Sequence, residues 1–204
     1  AAWLAAADAD GGASERRALE RLAALHQRSG DRLGQLAALG RMAGQARDAA
    51  DERQLRLAIA RLTPDDDAGA VAAWEQLLDV DDRNAEALAA LERVHARRSD
   101  WPAVAEVLGR RLAQAEAVSD RLAIMQQLAR LDEERRGAPD DAIAQWFAIL
   151  ELDGSQTVAY DELTRLLEAQ GRHHDVVEVL GRRADLEAAR GDTDAELRAL
   201  ARAA

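Results

Sequence analysis

The sequence contains no cysteine and no lysine, and only six of its 204 residues are aromatic. Without cysteine, the chain can form no disulfide bond, no thiolate metal site and no thiol nucleophile. Aromatic and β-branched side chains favour strands, so their scarcity argues against a β-sandwich, a barrel or a doubly wound sheet. No apolar run approaches the roughly 20 residues that a membrane-spanning helix needs. We therefore expect an all-α protein that does not insert into a membrane.

The charge is strongly one-sided, with a formal net charge of −11 at pH 7, and all 27 basic residues are arginine. Nucleic acids and anionic membranes both attract positive protein surfaces, so neither is an expected partner. The chain begins without methionine, and both of its ends interrupt helical patterns. We therefore expect it to be a segment of a longer protein, which leaves its compartment open.

What the sequence does contain is 48 alanines and 28 leucines, both strong helix formers. It also repeats itself. A shift of 72 residues places Trp74 on Trp146, and a shift of 69 places Ala60 on Ala129. These registers indicate nearly three copies of a unit of about 70 residues, namely 1–66, 67–138 and 139–204, within a single repeat domain.

Within each unit, apolar residues recur at helical spacing, as Leu88, Leu91 and Val94 do. Polar and glycine-containing breaks separate these stripes, so each unit holds four helices or two helical hairpins. Gly11 and Gly12 are expected to form a turn between the first two helices. The pattern predicts helices over 1–8, 14–29, 32–46, 50–62, 67–79, 84–98, 101–116, 120–136, 139–152, 156–170, 173–189 and 192–203.

The segment 141–153 resembles the second helix of a tetratricopeptide repeat. Its small residue Ala142 is followed four residues later by Trp146 and then by Ile149, before an acidic turn. The following first helix, turn and second helix are matched by Leu163, Leu167, Gly171, Val176 and Leu180. The resemblance covers essentially the whole chain, with the alternation of strong and weak repeats found in long bacterial arrays. It implies a right-handed superhelical α-solenoid of about six antiparallel helix hairpins; a half-a-tetratricopeptide or Sel1-like array is the alternative.

A hairpin of this kind cannot bury its own apolar stripe, so each must stack on its neighbours. Two columns of the repeat are expected to make these contacts. In one column we expect large rings to fill the space between successive hairpins, at Trp3, Trp74 and Trp146. In the other, small residues are expected to let helix backbones approach closely, at Ala60, Ala129 and Ala201.

No group of residues forms a recognisable catalytic constellation, so we expect no enzymatic activity, no cofactor and no metal. His173 and His174 are adjacent and point in different directions on a helix, so they cannot both bind one ion. The acidic turn 79–86 superficially resembles a calcium loop. Arg83 stands there in place of a ligand and Asn84 in place of the glycine that the loop requires, so the match fails.

One polar column stands out, which we call the arginine column: Arg61, Arg93, Arg130, Arg165 and Arg202. Each follows a predicted buried anchor of a first helix by two residues, and only the first hairpin departs, with Ala24. In the tetratricopeptide family this column faces the concave groove that receives a partner peptide. The resemblance therefore implies a partner-binding face, to which it adds Arg97, Gln126, Asp161 and Arg198.

Two interpretations of the arginine column stay open. The arginines could bind the carboxylates of an acidic partner segment, because guanidinium groups recognise carboxylates with paired hydrogen bonds. Alternatively, each could pair with an acidic residue of its own chain, as Arg165 could with Asp161 or Glu168.

These observations favour a non-catalytic protein–protein interaction scaffold that binds a partner peptide or helix in a concave groove, with a preference for acidic segments. Two alternatives belong to other classes. One is an architectural spacer, or a segment that self-associates through the open ends of the solenoid. The other is an accessory domain of an enzyme whose catalytic part lies outside these residues.

Overall fold

The computed structural model describes residues 2–191, 197–199 and 201–202, and within them the side chains from Gly12 onward. This part of the chain contains helices and no strand. The helices are α1 (Ala2–Ser29), α2 (Arg32–Ala43), α3 (Ala49–Leu62), α4 (Ala70–Leu78), α5 (Ala85–Arg97), α6 (Trp101–Gln114), α7 (Val118–Glu134), α8 (Pro139–Leu152), α9 (Thr157–Ala169) and α10 (His173–Arg190). Residues 197–199 and 201–202 are also helical, and the rest of the predicted helix 192–203 lies outside the described residues. None of the described helices is both long and apolar enough to cross a bilayer.

Within each unit described below, every helix packs against the next one along the chain, which confirms the predicted all-α array of helix hairpins. We call α1, α3, α5, α7 and α9 the first helices, and α2, α4, α6, α8 and α10 the second helices. The chain divides into two compact units, Ala1–Arg98 and Ser99–Ala204. In one, α1 to α5 pack in succession; in the other, α6 to α10 do so. The division into repeats at 1–66, 67–138 and 139–204 stays a prediction.

The prediction of two separate helices over 1–8 and 14–29 is wrong. The backbone runs as one helix, α1, from Ala2 to Ser29, and it passes through Gly11 and Gly12 without a turn. Each glycine costs a helix about 1 kcal/mol relative to alanine, but the flanking segments are rich in alanine and contain no proline. The side chain of Trp3 lies outside the described residues.

Short polar side chains cap the N-termini of four helices, close to the helix starts that the sequence predicts. The side chains of Asp31, Asp48, Asn84 and Asp100 accept hydrogen bonds from the amide three residues further on, with N···O distances of 2.9, 2.8, 3.0 and 3.3 Å. Such caps satisfy amides that the helix itself leaves without an acceptor. The sequence thus places these helix starts to within one or two residues.

The turn from a first to a second helix uses the same backbone conformation in three copies. Gly30, Ser99 and Gly171 occupy equivalent positions in the repeat, and their φ angles are 73°, 56° and 69°. Glycine adopts this left-handed region without steric penalty, whereas serine does not. Ser99 therefore adopts, with steric strain, the backbone conformation that Gly30 and Gly171 adopt in the equivalent turns.

The predicted core positions are buried in both units. Trp74 in α4 is 4% exposed and Trp146 in α8 is 1% exposed, which agrees with their expected role between successive helices. In the second unit, Trp146 belongs to one hydrophobic cluster that draws residues from α7, α8, α9 and α10. In the first unit, a cluster around Leu19, Leu39 and Leu55 joins α1, α2 and α3.

Alanine occupies the positions where helices meet most closely. Six alanines have no exposed surface, and they form three pairs at the repeat distances: Ala60 and Ala129, Ala70 and Ala142, Ala87 and Ala159. At such positions a methyl group is the largest side chain that the facing helix leaves room for. Ala201, predicted to belong with Ala60 and Ala129, is instead exposed, because no described element packs on its face of the helix.

Replacing one of these alanines with a larger residue should disrupt the packing. We expect Ala142→Leu to lower the free energy of unfolding by about 1–3 kcal/mol, because the added methylene groups have no space to occupy. Urea unfolding followed by circular dichroism measures this. Ala148→Leu is the matched control, since Ala148 lies on the exposed side of the same helix and its replacement should change stability by less than about 0.5 kcal/mol. Equal effects of the two variants would contradict the assignment.

Candidate functional site

The structure places the arginine column on the first helices. Arg61 lies near the end of α3, Arg93 in α5, Arg130 in α7 and Arg165 in α9, and Arg202 lies in the helical residues that follow α10. All five side chains are exposed. Buried residues stand directly beside four of them, namely Ala60, Val94, Ala129 and Thr164, and this amphipathic pattern directs the arginines to the surface. Of the residues that the resemblance added, Arg97 lies in α5, Gln126 in α7 and Asp161 in α9, and Arg198 lies near Arg202.

In the first unit, two bridges connect α3 to α5. Arg61 donates hydrogen bonds to Glu86 from Nε and Nη2, at 2.8 and 2.7 Å. Arg93 donates in the same paired fashion to Asp65, which follows α3, at 2.5 and 3.0 Å. Arg97 adds a further contact to Asp65 at 3.1 Å. The guanidinium fork matches a carboxylate in both bridges, which fixes the relative position of the two helices.

The bridges also change the acidity of their carboxylates. Hydrogen bonds from Arg61 hold the pKa of Glu86 below its usual value, and hydrogen bonds from Arg93 do the same to the pKa of Asp65. The pKa of Asp65 is lowered further by the nearby charge of Arg97. Both carboxylates are therefore ionised at neutral pH, and both bridges are intact there.

In the second unit, one bridge connects α7 to α9. Arg165 donates to both oxygens of Glu133, at 2.8 and 2.6 Å, and also to Glu162 on its own helix at 2.7 Å. These hydrogen bonds raise the pKa of Arg165. Beyond α9, Arg202 contacts both oxygens of Glu168 at 2.9 Å.

Arg165 therefore pairs within the chain, but not with the residues suggested by helical spacing. Asp161 is bound by Arg183 of α10, and Glu168 is bound by Arg202. Arg165 binds one carboxylate of its own helix, Glu162, and one of the neighbouring first helix, Glu133, and helical spacing could have identified only the former.

Three residues of the predicted face have no partner in the described part of the chain. Arg130, Gln126 and Arg198 form no hydrogen bond and no ion pair with the described residues. The structure thus separates the arginine column into two groups. Arg61, Arg93, Arg165 and Arg202 are held by carboxylates of the chain, whereas Arg130 is not.

A cleft of about 330 Å³ lies between the two bridges of the first unit. Its apolar lining includes Ala60, Ala89, Ala90 and Trp74, and its polar lining includes both bridges. The indole Nε1 of Trp74 is buried and donates to no described acceptor. The cleft can accept an apolar side chain, and the bridges offer hydrogen-bonding groups on either side of it.

The chemistry available on this face is binding by charge and by hydrogen bonds. Across the described residues there is no group of three or more histidine, aspartate or glutamate side chains that could hold a metal ion. His173 and His174 are both exposed at the start of α10. His26 Nδ1 lies 2.8 Å from a carboxylate oxygen of Asp31, where α1 meets α2.

The sequence pattern does not identify Asp65 and Glu86 as partners of the arginine column. One signal for Glu86 is present in the sequence. Glu86 is the second residue of a helix, where negative charge is favoured, and the preceding first helix carries Arg61. Asp65 lies in the irregular segment between α3 and α4. No helical periodicity relates it to Arg93, so only the tertiary structure brings these two residues together.

The bridge of Arg93 and Asp65 predicts a pH dependence of stability. Because the pKa of Asp65 is lower in the folded protein than in the unfolded chain, the bridge stabilises the fold above about pH 4, and this contribution is lost as the pH falls through the lowered pKa. We expect Arg93→Gln to lower the free energy of unfolding by about 0.2–1 kcal/mol at pH 7, the range of exposed ion pairs.

The difference between wild type and Arg93→Gln should shrink as the pH falls below about 4, and 1 M NaCl should reduce it at pH 7. Urea unfolding of both proteins at several pH values measures it. A difference that stays constant down to pH 2 would mean that Arg93 acts through packing instead of charge.

No family model matches the chain, and no curated protein matches its sequence. Solved structures do resemble it. A crystal structure of MamA is 15% identical, with 88% of this chain and 95% of that one covered, at a TM-score of 0.46. A kinesin light chain from Podosopora anserina is 19% identical, with 85% and 95% covered, at a TM-score of 0.43. PilF of Pseudomonas aeruginosa is 16% identical, with 93% and 90% covered, at a TM-score of 0.38. The kinesin light chain is described as nearly identical TPR-like repeats, the repeat type that this sequence resembles.

Proposed function

We propose that the protein is a non-catalytic scaffold that binds an acidic segment of a partner protein along the exposed face of its first helices. The observation that carries the proposal is the arginine column. In each unit, successive first helices present arginines to solvent, while the opposite side of the same helices is buried in the core. A set of guanidinium groups at regular spacing suits an extended chain that carries several carboxylates.

The existing bridges determine how such a partner would bind. Glu86, Asp65 and Glu133 already occupy three of the arginines, so a partner carboxylate must share or displace them. Each exchange gains little energy, since one exposed ion pair replaces another. The partner therefore needs several contacts in a row, and the cleft beside Trp74 supplies a place for an apolar side chain between the charges.

The proposal is tested by changing the first-helix arginines together. The triple variant Arg93→Gln, Arg130→Gln and Arg165→Gln should bind the partner about two- to fivefold more weakly. Arg130 loses a contact worth about 0.5–1 kcal/mol, whereas Arg93 and Arg165 lose contacts that only replaced existing bridges. Affinity capture from a lysate of the source cells identifies the partner, and a titration with that purified partner measures the dissociation constant.

The matched control changes three arginines of the second helices: Arg41→Gln, Arg110→Gln and Arg182→Gln. These also pair with glutamates, and the variant has the same net charge. It should bind as the wild type does. Equal loss of binding in both triple variants would mean that binding depends on net charge and not on where the arginines lie. Unchanged binding in the first-helix variant would refute the proposal. Far-UV circular dichroism establishes that both variants remain helical.

A second candidate function, self-association, is favoured by the surface of α1. Leu22 is 45% exposed and Leu25 is 54% exposed. Their counterparts one repeat later, Leu91 and Val94 in α5, have no exposed surface. There, α4 packs against α5 and covers these positions. We propose that this surface accepts a second copy of the chain, which would bury both leucines.

Light scattering tests self-association directly. The average mass of the wild type should rise with protein concentration, and the double variant Leu22→Glu and Leu25→Glu should stay monomeric at the concentrations where the wild type associates. Leu33→Glu is the control, because Leu33 is 72% exposed in α2 and its counterpart Pro102 is exposed as well. A wild-type protein that stays monomeric at every concentration would exclude this function.

A further inference from the structure

Both units contain an arginine of one first helix that binds a carboxylate on or beside the neighbouring first helix. In the first unit, Arg61 in α3 binds Glu86 in α5, and Arg93, seven residues after Glu86, binds Asp65. In the second unit, Arg165 in α9 binds Glu133, which repeats the bridge between Arg93 and Asp65.

The counterpart of the other bridge is incomplete. The repeat registers align Arg61 with Arg130 and Glu86 with Val158. Glu86 and Val158 are each the second residue of their helix. Val158 lies seven residues before Arg165, as Glu86 lies before Arg93. Arg130 keeps the arginine but has no carboxylate to bind among the described residues, and Val158 is 44% exposed.

A valine at this position is unfavourable for the fold in two ways. Negative charge at the second residue of a helix is stabilised by the helix dipole, and a carboxylate there would also bind the neighbouring arginine. Valine provides neither interaction and leaves apolar surface in water. Positions at which a protein gives up available stability are often positions that serve its function.

We propose that Arg130 and Val158 form an anchoring site for a side-chain carboxylate of a partner's acidic segment, at the place that Glu86 fills in the first unit. The guanidinium group binds the carboxylate, and Val158 contacts an apolar side chain next to it in the partner. The inference rests on the proposed function, since it names the contact through which an acidic segment binds most readily. At Arg61, Arg93 and Arg165 the segment must compete with a carboxylate of the chain. At Arg130 no described carboxylate is bound, so the segment meets no such competitor.

The site is tested by nuclear magnetic resonance, with the Nε–Hε signals of the arginine side chains as the readout. The probe is the capped peptide acetyl-Leu-Glu-Leu-amide, and acetyl-Leu-Gln-Leu-amide is its uncharged control. In 50 mM NaCl, the signal of Arg130 should shift with saturation on addition of the glutamate peptide. The signal of Arg61 should move at least tenfold less at the same peptide concentration, because Glu86 occupies it.

Two reciprocal substitutions make the test sharper. Val158→Glu should supply the missing carboxylate, abolish the response of Arg130, and raise the Tm by about 1–3 °C through the helix dipole and the new bridge. Glu86→Val should release Arg61 and create a response there, with a lower Tm. Far-UV circular dichroism establishes that both variants remain folded.

Three results would overturn the inference: no saturable shift at Arg130, an equal response to the glutamine peptide, or an unchanged response in Val158→Glu. A saturable shift at Arg130 together with unchanged partner capture by the first-helix triple variant would leave Arg130 as a carboxylate-binding site that the partner does not use, and would refute the proposed function. Loss of partner capture in that variant, with no response at Arg130, would refute only this site.

Discussion

The fold depends on close approach between helices at positions where only alanine fits. Ala60, Ala70 and Ala87 have no exposed surface in the first unit, and their counterparts one repeat later have none in the second. Contacts this close bring leucine and tryptophan side chains of adjacent helices into one continuous core, although the chain contains few large apolar residues. The high alanine content is therefore a packing requirement as well as a source of helix propensity.

The same close packing organises the exposed surface. Within each unit, an arginine on one first helix reaches a carboxylate on or beside the neighbouring first helix, as Arg61 reaches Glu86 and Arg165 reaches Glu133. Each bridge contributes little to stability because it is exposed. Its main effect is to fix where charges lie on the exposed face. Arg130 differs, because it contacts no carboxylate in the described part of the chain.

The repeat makes the sequence informative about most of the fold, and the error at its first helix has a local cause. Helix starts at residues such as Asp48 and Asn84 follow from capping chemistry, which depends on a few neighbouring residues. The turn expected at Gly11 and Gly12 does not form, because an alanine-rich context tolerates two glycines within a helix. Local signals thus predict helices well wherever a cap or a left-handed turn marks the boundary.

For the candidate site, the sequence by itself determined the helix class, the repeat register and the position of the arginine column on one face of the first helices. Helical periodicity is enough for this, because it depends only on spacing along the chain. Only the tertiary structure decided which arginines have partners. Asp65 lies in an irregular segment and Glu133 on a neighbouring helix, so their distances to Arg93 and Arg165 depend on how the helices pack. Packing is set by contacts between residues far apart in the chain, and no local pattern records it.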